Sequence, residues 1–128
     1  MNLKKAEKLL GTVASKTRLR LLRTMIDFDD EICVCEFEDA LELPQYSVSR
    51  HLNKLKERNL VESRREGTWA YYSLYSELEA GTQGIISWLE NNIQEESLKE
   101  DKISMENRLA LRDNGKCVTG CDEESGRN

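Results

Sequence analysis

Four cysteines are the residues best equipped for chemistry in this 128-residue chain: Cys33 and Cys35, separated by Val34 alone, and Cys117 and Cys121 in a C-x-x-x-C spacing near the end. A thiolate is a soft nucleophile and a soft metal ligand, whereas a cysteine with neither role is usually a small buried hydrophobe. The opening Met1-Asn2-Leu3-Lys4-Lys5 has no apolar signal region. That argues against an oxidising compartment and structural disulfides, and moves metal binding or thiol chemistry forward. Two thiolates are too few for a tight soft-ion site, so Cys33 and Cys35 need a further sulfur. On a regular helix they also lie about 200° apart, and sharing one small ion would distort the first turn.

A second set of residues suits a different chemistry. After Pro44, which fits a first helical turn, Val48, Leu52 and Leu55 recur as one buried stripe. Tyr46, Arg50, Asn53 and Glu57 fall opposite that stripe, with Gln45, Ser49 and Lys54 on its flanks. Gln, Tyr, Ser and Arg hydrogen-bond base edges and phosphates, and here they gather at the helix end whose dipole favours a phosphate. Two β-prone runs, Leu60 to Glu66 and Trp69 to Leu74, then meet across Gly67-Thr68 as a hairpin. Arg64 and Arg65 sit just before its turn, within reach of a nucleic-acid backbone, although charges beside a turn are more often simply solvated. The candidate DNA-binding set is Gln45, Tyr46, Ser47, Ser49, Arg50, His51, Lys54, Arg64 and Arg65.

The elements that must position these residues read mostly as helices. Leu3, Ala6, Leu9, Leu10 and Val13 mark a first helix, and Leu19, Leu21, Leu22, Met25 and Ile26 a second. An acidic connector leads to a short third helix on Ile32, Val34, Phe37 and Leu41, carrying both cysteines. Beyond the hairpin, Leu78, Ile85, Ile86, Trp88, Leu89 and Ile93 predict a long helix from about Glu77 to Gln94, too apolar to stand in solvent. Residues 95–112 keep a helical composition suited to a partner-docked arm, and Asn114-Gly115 onward reads as a polar tail. The fold class expected is mainly α with a small β-hairpin, a winged helix-turn-helix of order α-α-α-α-β-β-α. Residues 1–94 form its DNA-binding and dimerisation domain, and residues 95–128 a helical arm with a cysteine-containing tail.

Net charge is -5, yet it is unevenly spread: residues 1–26 hold seven basic and one acidic side chain, residues 27–42 hold eight acidic, and residues 43–75 six basic and three acidic. Local fields decide phosphate contact, so an acidic total is compatible with DNA binding. No apolar run approaches a membrane span, and a cytoplasmic protein without membrane contact is expected. There is no Gly-rich phosphate loop and no Ser-His-Asp set around the single histidine, which excludes the common enzyme constellations.

Three separated stretches, T-R-L-R-L-L, E-I-C-V-C-E-F and S-V-S-R-H-L followed by N-L-V-E-S-R-R-E-G-T-W-A-Y-Y-S-L, stand in one order from Thr17 to Leu74. In this the chain resembles the ArsR/SmtB family of winged helix-turn-helix metalloregulatory repressors. Pro44 and Tyr46 depart from the family's pattern where the reading helix opens. The resemblance implies a homodimer on a pseudo-palindromic double-stranded DNA operator, with first and last helices paired across the two-fold axis. It also implies an ion sensor at Cys33-Val34-Cys35, an arsenite or antimonite inducer first, and cadmium, lead or zinc behind them. Arsenic sensors of the family often continue as C-V-C-x-x-C. Glu38 holds the third position here, so the missing sulfur falls to Cys117 or Cys121, in the same or the other subunit. The family's zinc site of several His and Asp cannot form with His51 alone. Two other classes stay open: a thiol redox regulator using the same cysteines, and an adaptor using the winged-helix surface for protein contacts.

Overall fold

Side-chain caps start the first two helices where the sequence supplies them. Asn2 accepts from the Lys5 N–H at 2.9 Å ahead of α1 (Leu3–Val13), and Ser15 accepts from the Arg18 N–H at 3.3 Å ahead of α2 (Lys16–Phe28). The computed structural model describes residues 1–118. After α2 the chain runs through β1 (Ile32–Cys33), α3 (Val34–Leu41), α4 (Gln45–Glu57), β2 (Val61–Glu66), β3 (Trp69–Leu74), α5 (Ala80–Asn92) and α6 (Glu96–Leu109). The three strands form one antiparallel sheet in the order β1-β3-β2.

The helix-turn-helix is α3 and α4. Glu42 closes α3 in the left-handed region at φ 56°, and Pro44, at φ -67°, caps α4 directly after it. Val48, Leu52 and Leu55 are all fully buried, packed in one core with Leu21, Leu22, Ile32 and Phe37. Each contributes about 1.5–3 kcal/mol by leaving water. The expected wing is present, paired from Val61↔Leu74 to Glu66↔Trp69 and closed over Gly67 at φ 63°, a conformation that favours glycine.

The third helix begins at Val34 rather than Ile32, and this departure bears on the sensor. Ile32 and Cys33 are extended and pair with the wing at Ile32↔Tyr72 and Cys33↔Tyr71. The Glu36 carboxylate accepts the Cys33 N–H at 2.8 Å, so Cys33 is the cap of the helix and lies outside it. α5 likewise starts late, at Ala80, because Glu79 is extended at φ -63°, ψ 154°. The expected partner-docked arm is α6, and it packs against α3 and α2 of its own chain, burying Met105 completely. Arg20 grips Asp101 on α6 through two contacts of 2.8 and 2.9 Å. The tail also folds further than its polar composition suggests. Asp113 and Lys116 exchange backbone hydrogen bonds of 3.0 and 3.1 Å around Asn114 and Gly115, both at positive φ, which is a type I′ reversal. No helix among the described residues is long and apolar enough to cross a membrane.

Candidate thiol sensor and nucleic-acid interface

The reversal at Asn114-Gly115 sends Cys117 back onto β1. Cys33, Cys35 and Cys117 are 1%, 4% and 5% exposed and form one buried group with Tyr71, against which Trp69 packs. None of the three is in a disulfide. Cys121 lies outside the described residues. Among the described residues, no three His, Cys, Asp or Glu side chains already stand as a metal-holding set. The three sulfurs form a hydrogen-bonded cluster centred on Cys33.

Each sulfur comes from a different piece of backbone. Cys33 hangs from a sheet strand at φ -75°, ψ 148°, Cys35 from the first turn of α3, and Cys117 from the returning tail, whose N–H donates to the Tyr71 hydroxyl at 3.1 Å. The helical separation expected for Cys33 and Cys35 does not apply, because Cys33 has non-helical backbone. The expected distortion of a first helical turn falls away for the same reason. A hydrogen bond to Cys117 holds the Cys33 thiol protonated well above the ordinary thiol range, with Cys35 and burial adding to the effect. The same bond lowers Cys117, helped less by the Arg108 guanidinium, which approaches its sulfur at 3.9 Å. Cys33 thus keeps its proton and offers it to Cys117.

Charged residues frame the cluster. Glu36 is fully buried and meets Arg112 through Nη2–Oε1 and Nε–Oε2 contacts of 2.7 Å each. Arg108 reaches Asp39 at 2.8 Å, Arg64 reaches Glu31 at 2.6 Å and Glu66 at 2.9 Å, and Lys116 reaches Glu66 at 2.6 Å. Glu36, Tyr71, Arg108 and Arg112 were outside the residues singled out by spacing. Only Glu36 had a local signal, standing three residues after Cys33 as a capping box requires.

The second surface is built on α4. Gln45, Tyr46, Arg50 and Lys54 are exposed, Tyr46 at 71%, while Ser47, Ser49 and His51 are half-buried. Arg18 fixes His51: its Nε–H donates to Nδ1 at 3.1 Å, and its Nη1 donates to the Thr12 carbonyl at 3.1 Å. Burial lowers the His51 pKa, and the nearby Arg18 and Arg50 charges lower it further. The two wing arginines part company. Arg65 is exposed, opposite Ala70 and on the sheet face shared with Tyr72, whose hydroxyl meets Asn53 of α4 at 3.4 Å. Arg64 stands opposite Tyr71 on the cysteine side, 4.8 Å from that ring's centre and committed to two carboxylates.

A sequence profile described as "Bacterial regulatory protein, arsR family" matches residues 15–63. The uncharacterized HTH-type transcriptional regulator MJ1325 of Methanocaldococcus jannaschii is 38% identical across 53% of this chain and 75% of its own length. The chain belongs to the arsR family. Its members are transcriptional regulators rather than enzymes. The arsenic resistance transcriptional regulator ArsR1 of Pseudomonas putida is 44% identical over 52% of this chain and 51% of its own, so this arsR-family chain spans about half of that relative. HlyU from Vibrio cholerae has the same winged fold, with a TM-score of 0.59 and 32% identity over 70% of this chain and 94% of HlyU.

Proposed function

We propose that this arsR-family chain is a DNA-binding repressor released from a pseudo-palindromic operator by arsenite or antimonite, ahead of cadmium, lead or zinc. The observation that carries the reading is the burial of Cys117 against Cys33 and Cys35. Three soft sulfur donors suit a three-coordinate pnictogen, whereas structural zinc takes four ligands. The single histidine is on another element and already bonded to Arg18. The arsenic resistance named for ArsR1 accords with this. Gln45, Tyr46, Ser47, Ser49, Arg50, His51, Lys54 and Arg65 make up the operator surface, while Arg64 is turned to the cysteine face of the wing. A homodimer would set two copies of α4 in successive major-groove turns. Leu10 and Trp88, both 56% exposed beside a groove of about 350 Å³ that Gly81, Gly84 and Ile85 also line, support that pairing.

Cys33 belongs to the strand hydrogen-bonded to the wing, and Cys35 to the helix packed behind α4. Closing the three sulfurs on one ion displaces both DNA-facing elements together. A tenfold fall in operator occupancy needs a preference of only about 1.4 kcal/mol for the ion-bound form. The test is arsenite titration of DNA-bound protein, with thiolate-to-arsenic absorption recorded for Cys33→Ser, Cys35→Ser, Cys117→Ser and Cys121→Ser. Loss of response in the first three supports the reading. A normal response in Cys117→Ser, with loss in Cys121→Ser, overturns this ligand set.

The Cys33–Cys117 contact also favours a second reading, a thiol redox switch. Peroxide would take two electrons from that pair, leaving one disulfide and two waters. Release of operator by peroxide and not by arsenite would favour it.

A further inference from the structure

Cys117 lies beyond the end of α6, so its place among the other sulfurs depends on whatever returns the chain to β1. Two features do so. The Asn114-Gly115 reversal, with φ of 55° and 74°, turns the chain back on itself so that Lys116 pairs with Asp113 just before Cys117. Arg112 anchors the chain just ahead of that turn, bonding both Glu36 oxygens at 2.7 Å and the Glu31 carbonyl at 2.7 Å. The Oε1 atom that takes the Arg112 Nη2 also takes the Cys33 N–H at 2.8 Å. One buried carboxylate therefore ties the backbone of the first sulfur to the segment carrying the third.

We propose that Arg112, Glu36 and the Asn114-Gly115 turn form a latch that positions Cys117 and makes the site selective for ions needing three thiols. The inference rests on the reading of Cys33, Cys35 and Cys117 as ligands. With the latch intact, three sulfurs are held within one cluster, and a three-coordinate arsenic gains its last bond at little entropic cost. With the latch cut, the third sulfur swings on a free tail and the site behaves as a two-thiol site. Arg112 and Gly115 are positioning residues, and neither touches the ion.

Two probes separate these states. Arsenite offers three positions to thiols, and phenylarsine oxide, one of whose positions is filled by the phenyl carbon, offers two. Arg112→Gln cuts the ion pair. Gly115→Ala leaves every side chain in place and meets nothing within 4 Å, so it strains only the positive-φ turn. Arsenite affinity is expected to fall about tenfold in Arg112→Gln and about fivefold in Gly115→Ala, while phenylarsine oxide affinity changes less than about twofold. Cys117→Ser sets the scale for a site short of its third sulfur. If Cys117→Ser binds arsenite as tightly as the unaltered chain, the ligand reading itself fails. If Cys117→Ser loses affinity but both latch variants do not, the ligands stand and the latch is overturned. Equal losses for both probes also overturn it, because the variants would then act through stability alone.

Discussion

Tyr71 touches two of the three sulfur-bearing segments at once: it stands opposite Cys33 across the β1–β3 ladder, and its hydroxyl accepts the Cys117 N–H at 3.1 Å. Tyr71→Phe keeps the ring beneath Arg64 and Arg112 but strands a buried N–H. A loss of about 1–3 kcal/mol in urea denaturation is expected, with weaker arsenite binding as the tail loosens. An unchanged denaturation midpoint would mean that this bond does not form in solution.

The wing arginines should separate in their dependence on salt. Arg65, exposed on the face that meets α4, is free to neutralise a phosphate, so Arg65→Ala should lower the slope of log affinity against log salt by about one. Arg64 already serves Glu31 and Glu66, and Arg64→Ala should change the slope less and the arsenite response more. Filter binding of operator across a salt series gives both slopes. Equal slopes for the two variants would place both arginines on DNA.

How much of this was legible in the sequence follows from the range of each interaction. The stripe of Val48, Leu52 and Leu55 and the turn at Gly67-Thr68 are local patterns, and the reading helix and wing lie where those patterns put them. β1 is two residues long, too short to show alternation, and its partner strand is distant in the chain. Cys33, its second residue, therefore reads from spacing as part of the helix that it in fact caps. Docking of α6 and of the segment after it rests on Arg20–Asp101, Arg108–Asp39 and Arg112–Glu36, pairings between remote positions that helical periodicity does not reveal. Asn114-Gly115 is a strong reversal signal, but the residues around it lack the alternating apolar pattern that normally announces a hairpin.

His51 gives the fold a pH dependence with a definite sign. Burial, with Arg18 and Arg50 beside it, makes the folded imidazole hold its proton less tightly than the unfolded one. Between the two pKa values the unfolded chain binds more protons, so stability rises with pH across that window. It should be lost progressively as pH falls below about 6.5, the ordinary imidazole value, where protonation also ends acceptance from Arg18 Nε. Urea titrations on either side of that pH should show this loss, and His51→Gln should flatten it. A variant whose stability fell just as steeply would move the effect to other groups.

Proton balance offers a separate check on the inducer. Arsenous acid arrives as a neutral trihydroxide, and three thiols condensing with it form three As–S bonds and release three waters, with no net proton. Any sulfur already ionised must take up a proton for its share of that water. Cadmium brings no hydroxide, so each sulfur still protonated must release its proton as the Cd–S bond forms. The buried cluster, with Cys33 donating its hydrogen to Cys117, holds at least one such proton. Arsenite affinity should accordingly stay level or fall as pH rises from about 6.5 to 8.5 around the ordinary thiol range, while cadmium affinity climbs. Calorimetry in buffers of differing ionisation enthalpy reads the same quantity directly: zero or positive proton uptake for arsenite, and release for cadmium. Proton release on arsenite binding would rule out complete condensation at Cys33, Cys35 and Cys117.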